Sequence, residues 1–249
     1  MNLAPTGKTK MASTRPRSAE LNPGPGFRVK LSYPSVESSL RDALRPFDVP
    51  DISDTLNRLY AIDSSIVCQN SQTKSLCGSV CTVRVFPGDN LMVHKALDVA
   101  RPGDVVVVDA HGERSMNAVL GDLICTKAKH RGIAGFIVDG LVRDMPGIDE
   151  IEFPVFARGT TAVGPLHRGP GEINFPVCCG GVVVNPGDII KADASGIVVV
   201  PRDHLQDVID RLGAQKERQK SYLEAVRQGE FSNQWVDQLL ANENCDSKD

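Results

Sequence analysis

The sequence has no long apolar run. No stretch of the 249 residues approaches about 18 consecutive apolar side chains, the length that a membrane-spanning helix needs. The N-terminal residues also lack the apolar block of a secretory signal. A net charge of −3 provides no positive field that would attract a polyanion. We therefore expect a cytoplasmic protein with no membrane span and no nucleic-acid partner.

The number of cysteines is odd, so they cannot all form disulfide pairs within the chain. Seven cysteines lie mostly within apolar stretches, at Cys68, Cys77, Cys81, Cys125, Cys178, Cys179 and Cys245. No second cysteine or histidine pair accompanies Cys77 and Cys81 at the spacing of zinc ligands. We expect reduced thiols in the core, with the adjacent Cys178 and Cys179 in a strand, and no structural zinc site.

Composition divides the chain into three segments. Residues 1–27 mix Pro, Gly, Ser, Thr and basic side chains with little to bury, which predicts a disordered tail. The basic bias also suits an organelle transit peptide, but four prolines oppose the amphipathic helix that such a peptide needs. Residues 28–229 have the apolar patterns of one folded domain. Residues 230–249 form a helical tail with a short helix near 235–240 and a frayed end.

The folded segment opens with helical patterns. One apolar face recurs at helical spacing through Val36, Leu40, Ala43, Leu44 and Phe47. Asp51 or Ser53 could cap a second short helix through Leu59.

Strands and helices then alternate. The pattern predicts strands over 80–86, 104–109 and 134–139, separated by helices over 91–100 and 122–131. Continuous apolar strands indicate a largely parallel sheet covered by helices, so the fold class is α/β. The later part of the chain is more β-like and ends in a long amphipathic helix; its predicted elements are strands near 153–157, 180–184, 189–192 and 196–200 and a helix from 205 toward 229.

The tripeptide Pro-Gly-Asp occurs three times, at 87–89, 102–104 and 186–188. Proline presets φ and glycine accepts positive φ, as a type II turn requires. The unequal spacing makes these three turns rather than a structural repeat.

An acid at a predicted helix start is followed, one helix and one strand later, by an arginine–aspartate pair. Asp122 opens the helix, and Arg143 and Asp144 come after the strand. The helix start and the carboxyl end of the next parallel strand share one edge of the sheet, where ligands collect. The free amides of Leu123 and Ile124 suit a carboxylate there.

The side chains at this edge offer complementary chemistry. Arg143 has a fixed fork of donors for a carboxylate or an enolate oxygen. Asp144 can hold a hydrated divalent cation, and Asp122 can orient and deprotonate a water bound to it. The alternative is that Asp122 only caps the helix and that Arg143 and Asp144 form a solvated surface turn.

Asp122, twenty intervening residues and Arg143-Asp144 together resemble the D-x20-R-D motif of the RraA-like family, in particular its class II pyruvate aldolases. These aldolases act on 4-hydroxy-4-methyl-2-oxoglutarate and 4-carboxy-4-hydroxy-2-oxoadipate. The similarity covers roughly residues 36–230. Further blocks that are similar, in the same order, are PGDNLMVHKAL, RPGDVVVVDA, GIAGFIVDGLVRD, PVFARGTT and GPGEINFPVCCGGVVVNPGDIIKADASGIVVVP.

The resemblance implies a site and a reaction. Arg143 would contact the substrate carbonyl and carboxylate, with Gly121 and the amides of Leu123 and Ile124 around the pyruvyl carboxylate. Asp144 would hold Mg²⁺ or Mn²⁺, and Asp122 would position the water that acts as base. The implied reaction is retro-aldol cleavage of a 4-hydroxy-2-oxo acid to pyruvate and a second oxo acid, with oxaloacetate decarboxylation as a side activity.

Three further residues follow from the resemblance. Asn90 and His94 would lie in the pocket, although a helix cap and a helix-face histidine explain them equally well. Glu217 would correspond to a glutamate that the C-terminal helix of a neighbouring subunit contributes, although a solvated helix face also explains it.

The resemblance further implies a β/β/α swivelling-type domain with a C-terminal helical extension, assembled as a homotrimer or as a hexamer of two stacked trimers. Two other functions remain open. One is a non-catalytic protein that regulates a ribonuclease by contact, as the family's namesake does. The other is a lyase or hydrolase that acts on a different oxo acid at the same metal site.

Overall fold

The computed structural model describes residues 20–72 and 75–246, with the side chain of Glu113 also left undescribed. Its helices are α1 (Ser38–Ala43), α2 (Val49–Thr55), α3 (Leu91–Val99), α4 (Asp122–His130), α5 (Met145–Glu150), α6 (Leu205–Arg227) and α7 (Gln234–Asn242). Its strands are β1 (Phe27–Val29), β2 (Val67–Cys68), β3 (Leu76–Val85), β4 (Val105–Asp109), β5 (Gly135–Val142), β6 (Val155–Thr160), β7 (Gly171–Ile173), β8 (Val177–Cys179), β9 (Val182–Val184), β10 (Ile189–Asp193) and β11 (Gly196–Val200).

The main sheet has the strand order β1-β7-β3-β4-β5-β6-β2. Strands β3, β4, β5 and β6 are parallel, which confirms the sequence prediction for the centre of the sheet. β7 and β10 both pair antiparallel with β3, which is long enough to hold three partners, and β11 extends the sheet from β10. The central strands are continuous apolar runs because both of their faces are buried.

Two apolar layers enclose the sheet. Side chains such as Val106, Val108 and Val138 pack against α3, α4 and α5 on one face. Val105, Val107 and Ile137 pack on the other face against the β8–β9 hairpin and strands β10 and β11. A third cluster joins β10 and β11 to α1, α2 and the first half of α6. The chain therefore forms the predicted β/β/α arrangement with a C-terminal helical extension.

The second helix begins earlier than the sequence predicts. Asp48, not Asp51 or Ser53, occupies its N-cap position, and Pro50 lies in its first turn. Proline fits there because the first amides of a helix have no intrahelical acceptor. The helix ends before Leu59, because Asn57 and Arg58 adopt positive φ values of 55° and 65°.

The three Pro-Gly-Asp turns form as predicted. Gly88, Gly103 and Gly187 have φ values of 82°, 85° and 88°. Each turn closes with a hydrogen bond from its aspartate amide to the carbonyl three residues earlier, at 2.9 to 3.1 Å. The buried carboxylates also accept other amides, so Asp89 accepts the amide of Leu91 at 2.8 Å and that of Arg168 at 2.5 Å. Each turn is therefore fixed to its surroundings.

A row of charged side chains crosses the sheet where β4 ends; we call it the charge row, and it comprises Arg28, Glu172, Arg84, Asp109, Asp139 and Arg158. Arg84 contacts both Glu172 and Asp109, at 3.3 and 3.2 Å. Asp139 accepts Arg158 Nε at 2.5 Å and the amide of Gly180 at 2.7 Å. Every carboxylate of the row therefore has a partner within the chain.

The described cysteines form no disulfide. Burial raises the pKa of the Cys81, Cys125 and Cys179 thiols, so these side chains stay protonated and pack as small apolar groups. β8 confirms the strand predicted for Cys178 and Cys179, but its alternation leaves Cys178 exposed, as is Cys245. The prediction of a core thiol is wrong for these two residues.

The two ends of the chain are only partly described. Of the predicted tail at 1–27, residues 1–19 lie outside the described residues, whereas the Gly26 amide donates to Glu172 Oε1 at 3.0 Å. The frayed end predicted for the C-terminus falls partly on residues 247–249, also outside them. α7 buries no side chain. Within the described ranges, no helix combines the length and apolarity that crossing a membrane would need.

Candidate active site

The backbone brings the start of α4 beside the end of β5. Ala118 bridges to Leu141, and the Val119 amide donates to the Leu141 carbonyl at 2.9 Å. Two residues further on, the Arg143 amide donates to the Leu120 carbonyl at 3.1 Å. Because this pairing continues to within two residues of the helix, Asp122 and the Arg143-Asp144 pair meet on one side of the protein.

Two glycines make this approach possible. A Cβ on Gly121 would overlap the Asp144 carboxylate and lie 3.2 Å from Arg143 Cγ. A Cβ on Gly164 would lie 2.7 Å from Arg143 Nη1, so the loop before β7 also contacts the guanidinium closely. The arginine is therefore held between two backbone segments that leave no room for side chains.

Asp144 has a left-handed backbone conformation, with φ 59° and ψ 39°, at the N-cap position of α5. Its Oδ2 atom lies 3.1 Å from Arg143 Nε, and both side chains are 41% exposed. An ion pair this exposed adds little stability. The pair instead orients the two side chains, because it holds a carboxylate and a guanidinium beside the same cavity.

That cavity has a volume of about 230 Å³ and contains the predicted site residues from both segments. Its walls come from α3, the start of α4, the turn after β5 and the loop before β7: Asn90, His94, Leu120, Gly121, Asp122, Leu123, Ile124, Arg143, Asp144, Pro165 and His167. The structure thus brings together eight predicted residues, Gly121, Asp122, Leu123, Ile124, Asn90, His94, Arg143 and Asp144. Their roles in catalysis and binding stay predictions.

One predicted donor is already engaged. Asp122 Oδ1 accepts the Leu123 amide at 2.6 Å, so this amide faces the aspartate of its own helix end rather than open space. The Leu123 side chain is 73% exposed. For the Leu123 amide to bind a substrate carboxylate, Asp122 must change rotamer. The two predicted roles of Asp122 and Leu123 are therefore coupled.

Asn90 does not cap its helix through its side chain. It is 2% exposed, and its Nδ2 donates to the Val119 carbonyl at 3.0 Å. Its Oδ1 lies 2.6 Å from Nδ1 of His167. Asn90 thus connects the segment that leads into α4 with the loop before β7.

His94 lies one turn further along α3, with its ring 5.5 Å from that of His167 in an edge-to-face arrangement. Burial lowers the pKa of His94, and the nearby His167 and Lys127 lower it further. An exposed helix-face histidine would lack this packing. The sequence prediction did not include His167, because its loop has no periodic pattern and its only sequence signal is the residue type.

Glu217 lies elsewhere. It is exposed on α6, whose buried residues pack against α1 and α2, and it does not line the cavity of its own chain. Its predicted role concerns a neighbouring subunit and stays a prediction.

A larger cavity, of about 620 Å³, lies between residues 30–34, the β8–β9 hairpin and residues 201–204. It contains none of the predicted site residues. Size alone does not make it the site, because the Asp122, Arg143 and Asp144 side chains converge on the smaller cavity.

The smaller cavity suits a hydrated divalent cation. No cluster of three His, Cys, Asp or Glu side chains that could hold a metal occurs in residues 20–72 and 75–246. Mg²⁺ does not need such a cage, since it retains several waters and binds through one or two carboxylates plus substrate oxygens. Asp144, half-exposed beside a cavity of about 230 Å³, offers one such carboxylate with room for waters.

Comparison with known proteins supports the family resemblance and the fold. The chain matches the RraA-like family, described as Aldolase/RraA, over residues 49–199, and it belongs to that family. It is 43% identical over 160 residues, 64% of this chain and 75% of the relative, to the "Putative 4-hydroxy-4-methyl-2-oxoglutarate aldolase" of Halalkalibacterium halodurans.

Two solved structures extend the comparison. Streptomyces coelicolor RraAS2, described as an unusual member of the RNase ES inhibitor RraA protein family, matches with a TM-score of 0.68 and 27% identity over 77% of this chain and 98% of that one. The RNA-processing inhibitor RraA from Thermus thermophilis matches with a TM-score of 0.57 and 31% identity, over 62% of this chain and 93% of that one. Both confirm the predicted RraA-like fold.

Proposed function

We propose that the protein is a divalent-metal-dependent lyase that cleaves a 4-hydroxy-2-oxo dicarboxylic or tricarboxylic acid to pyruvate and a second oxo acid. The observation that carries the proposal is the convergence of Asp122, Arg143 and Asp144 on one cavity at the start of α4. The aldolase name of the Halalkalibacterium halodurans relative supports it.

The first step is binding of the 2-oxo acid end of the substrate. Arg143 donates to the carboxylate and to the C2 carbonyl oxygen through its fixed fork. The Ile124 amide, at the positive end of the α4 dipole, adds a second donor, and the Leu123 amide joins it once Asp122 turns away. Asp144 would hold Mg²⁺ or Mn²⁺, which would supply Lewis-acid polarisation of the C2 carbonyl.

The second step is bond cleavage. Asp122, released from the Leu123 amide, orients a water that takes the proton from the C4 hydroxyl and passes a proton to the Asp122 carboxylate. The C3–C4 bond breaks as the C4 carbonyl forms, and the electron pair moves through C3 to the C2 oxygen to give the pyruvate enolate. Arg143 stabilises the charge on that oxygen, and return of the proton from Asp122 through the water to C3 completes pyruvate. Oxaloacetate would lose CO₂ through the same enolate.

The decisive experiment measures pyruvate release from 4-hydroxy-4-methyl-2-oxoglutarate, 4-carboxy-4-hydroxy-2-oxoadipate and oxaloacetate after chelation, and again after addition of Mg²⁺ or Mn²⁺. We expect turnover that depends on the added metal with at least one aldol substrate. Lack of metal-dependent turnover on all three compounds would refute the proposal.

The names of the two structural relatives support a second candidate, a non-catalytic regulator of a ribonuclease. Direct binding to a ribonuclease of that class, together with inactivity in the assay above, would favour it. We give it second place because a binding protein has no need of a guanidinium and two carboxylates around a small cavity.

We also propose a trimer or a hexamer of two trimers. Two large apolar side chains in the segment that leads into α4 and in its first turn are exposed, Met116 at 74% and Leu123 at 73%. Covering such surface favours association. Light scattering coupled to size-exclusion chromatography would measure the mass, and a monomer at micromolar concentration would contradict this. Cytoplasmic localisation stays a prediction.

A further inference from the structure

Two histidines line the cavity beside the proposed catalytic groups. His94 comes from α3 and His167 from the loop before β7, and both line the cavity with Arg143. Neither histidine has a role in the cleavage described above. Their placement therefore requires another explanation.

The hydrogen bonds fix the protonation pattern of His167. Asn90 Nδ2 donates to the Val119 carbonyl, which leaves Asn90 Oδ1 as the acceptor that faces His167 Nδ1 at 2.6 Å. Nδ1 must therefore carry a hydrogen. Through residues 20–72 and 75–246, Nε2 of His167 and both ring nitrogens of His94 have no hydrogen-bond partner. His94 therefore has an unused N–H in either tautomer, and Nε2 of His167 is a second donor in the doubly protonated ring.

The charges around the pair favour an anion. Besides burial, the nearby His167 and the positive charge of Lys127, on α4, lower the pKa of His94. Arg143 lines the same cavity. Asp122 and Asp144 bring negative charge to the same cavity, which Arg143 and the cation that Asp144 would hold offset. A carboxylate beside the two rings, whose centroids are 5.5 Å apart, could accept hydrogen bonds from both.

We propose that His94 and His167 form a second carboxylate subsite, which binds the carboxylate at the far end of the 2-oxo acid and selects dicarboxylic over monocarboxylic substrates. This inference rests on the proposed function, because it assumes that the 2-oxo acid end occupies Arg143. Asn90 acts as a positioning residue that orients the His167 ring.

The test compares two ligands that differ only at their far end. 2-Oxoglutarate carries a terminal carboxylate, 2-oxopentanoate carries a methyl group, and neither has the C4 hydroxyl that cleavage needs. Isothermal titration in Mg²⁺-containing buffer at pH 6.5 measures both affinities. We expect the wild-type protein to prefer 2-oxoglutarate by about fivefold, since an exposed charge-assisted contact contributes modestly.

Two substitutions at one position separate anion binding from structural support. In His167→Asn, the side-chain amide can replace the Nδ1–H donor toward Asn90 but has no group at the position of Nε2. In His167→Gln, the longer side chain places its amide at the position of Nε2 but loses the donor toward Asn90. We expect His167→Asn and His94→Gln to lose the preference, and His167→Gln to retain most of it. His130→Gln, an exposed histidine at the end of α4, is the control and should bind as the wild type does. Thermal unfolding of each variant checks its fold.

The outcomes distinguish the two proposals. Equal wild-type affinity for the two ligands, with both weakened by Arg143→Ala, overturns the histidine subsite but leaves the proposed function. Retention of the preference in His167→Asn together with its loss in His167→Gln also overturns the subsite, since it assigns the effect to the support of Asn90. Failure of the wild-type protein to bind either ligand overturns the subsite and the proposed function together.

Discussion

Gly147 of α5 packs directly against Asp122 of α4, so that a Cβ at position 147 would lie 2.8 Å from Asp122 Oδ2. The contact holds the first residue of α4 against the first turn of α5 and limits the space in which the aspartate can change rotamer. Because the proposed mechanism needs Asp122 to leave the Leu123 amide, this packing bears directly on activity.

The first prediction concerns this contact. In Gly147→Ala, the added methyl displaces the Asp122 carboxylate, and overpacking of this kind costs about 1–3 kcal/mol. We expect kcat to fall at least tenfold while KM changes little, as steady-state assays would show. Gly213→Ala is the matched control, because a Cβ there meets nothing within 4 Å. It should leave kcat unchanged and stabilise α6 by about 1 kcal/mol. A wild-type kcat in Gly147→Ala would contradict this account.

The second prediction separates charge from geometry at position 143. Arg143→Ala should abolish turnover while the oligomer stays intact. Arg143→Lys keeps the charge but loses the fork, and we expect kcat/KM to fall about 100- to 1000-fold, the usual loss for one stabilising donor. Arg131→Ala, which removes an exposed arginine paired with Asp98, provides the comparison and should retain full activity. Full activity of Arg143→Ala would remove this residue from the mechanism.

The third prediction uses the left-handed conformation of Asp144. Asn tolerates that conformation and Ala does not, so Asp144→Asn should unfold at about the wild-type temperature while Asp144→Ala loses about 1 kcal/mol. Both variants should lose the activity that Mg²⁺ supports, because neither retains the carboxylate. A Mg²⁺ titration of activity, run beside thermal unfolding, measures both effects. An unchanged Mg²⁺ requirement in Asp144→Asn would show that the metal binds elsewhere.

The fourth prediction concerns stability away from the cavity. Asp139 is 7% exposed, and its removal leaves both Arg158 and the Gly180 amide without their acceptor. Asp139→Ala should therefore lower the free energy of unfolding by about 3–5 kcal/mol. Arg211→Ala, which breaks an exposed ion pair with Asp207 on α6, should change it by no more than about 0.5 kcal/mol. Urea unfolding measures both free energies. Equal effects would show that Asp139 contributes no more to stability than an exposed ion pair does.

The sequence predicted those features that periodicity and spacing encode. α3, α4 and the parallel strands have strong apolar patterns, and the motif at 122 and 143–144 joins two of these elements, so their meeting could be expected. The three-residue strands β1 and β7 are too short for a pattern, and α5 contains Pro146 and Gly147, which disguise a helix. The Asp122–Leu123 hydrogen bond depends on one rotamer, and the position of His167 depends on a loop path. Spacing specifies neither.

The three partners of β3 have a consequence for the order of folding. β4 follows β3 closely in the chain, but β7 and β10 belong to the last third of the domain. During synthesis one edge of β3 therefore stays unpaired until those later strands emerge, and such long-range pairing slows folding. A nascent chain stalled before β7 should be the species that a chaperone holds longest.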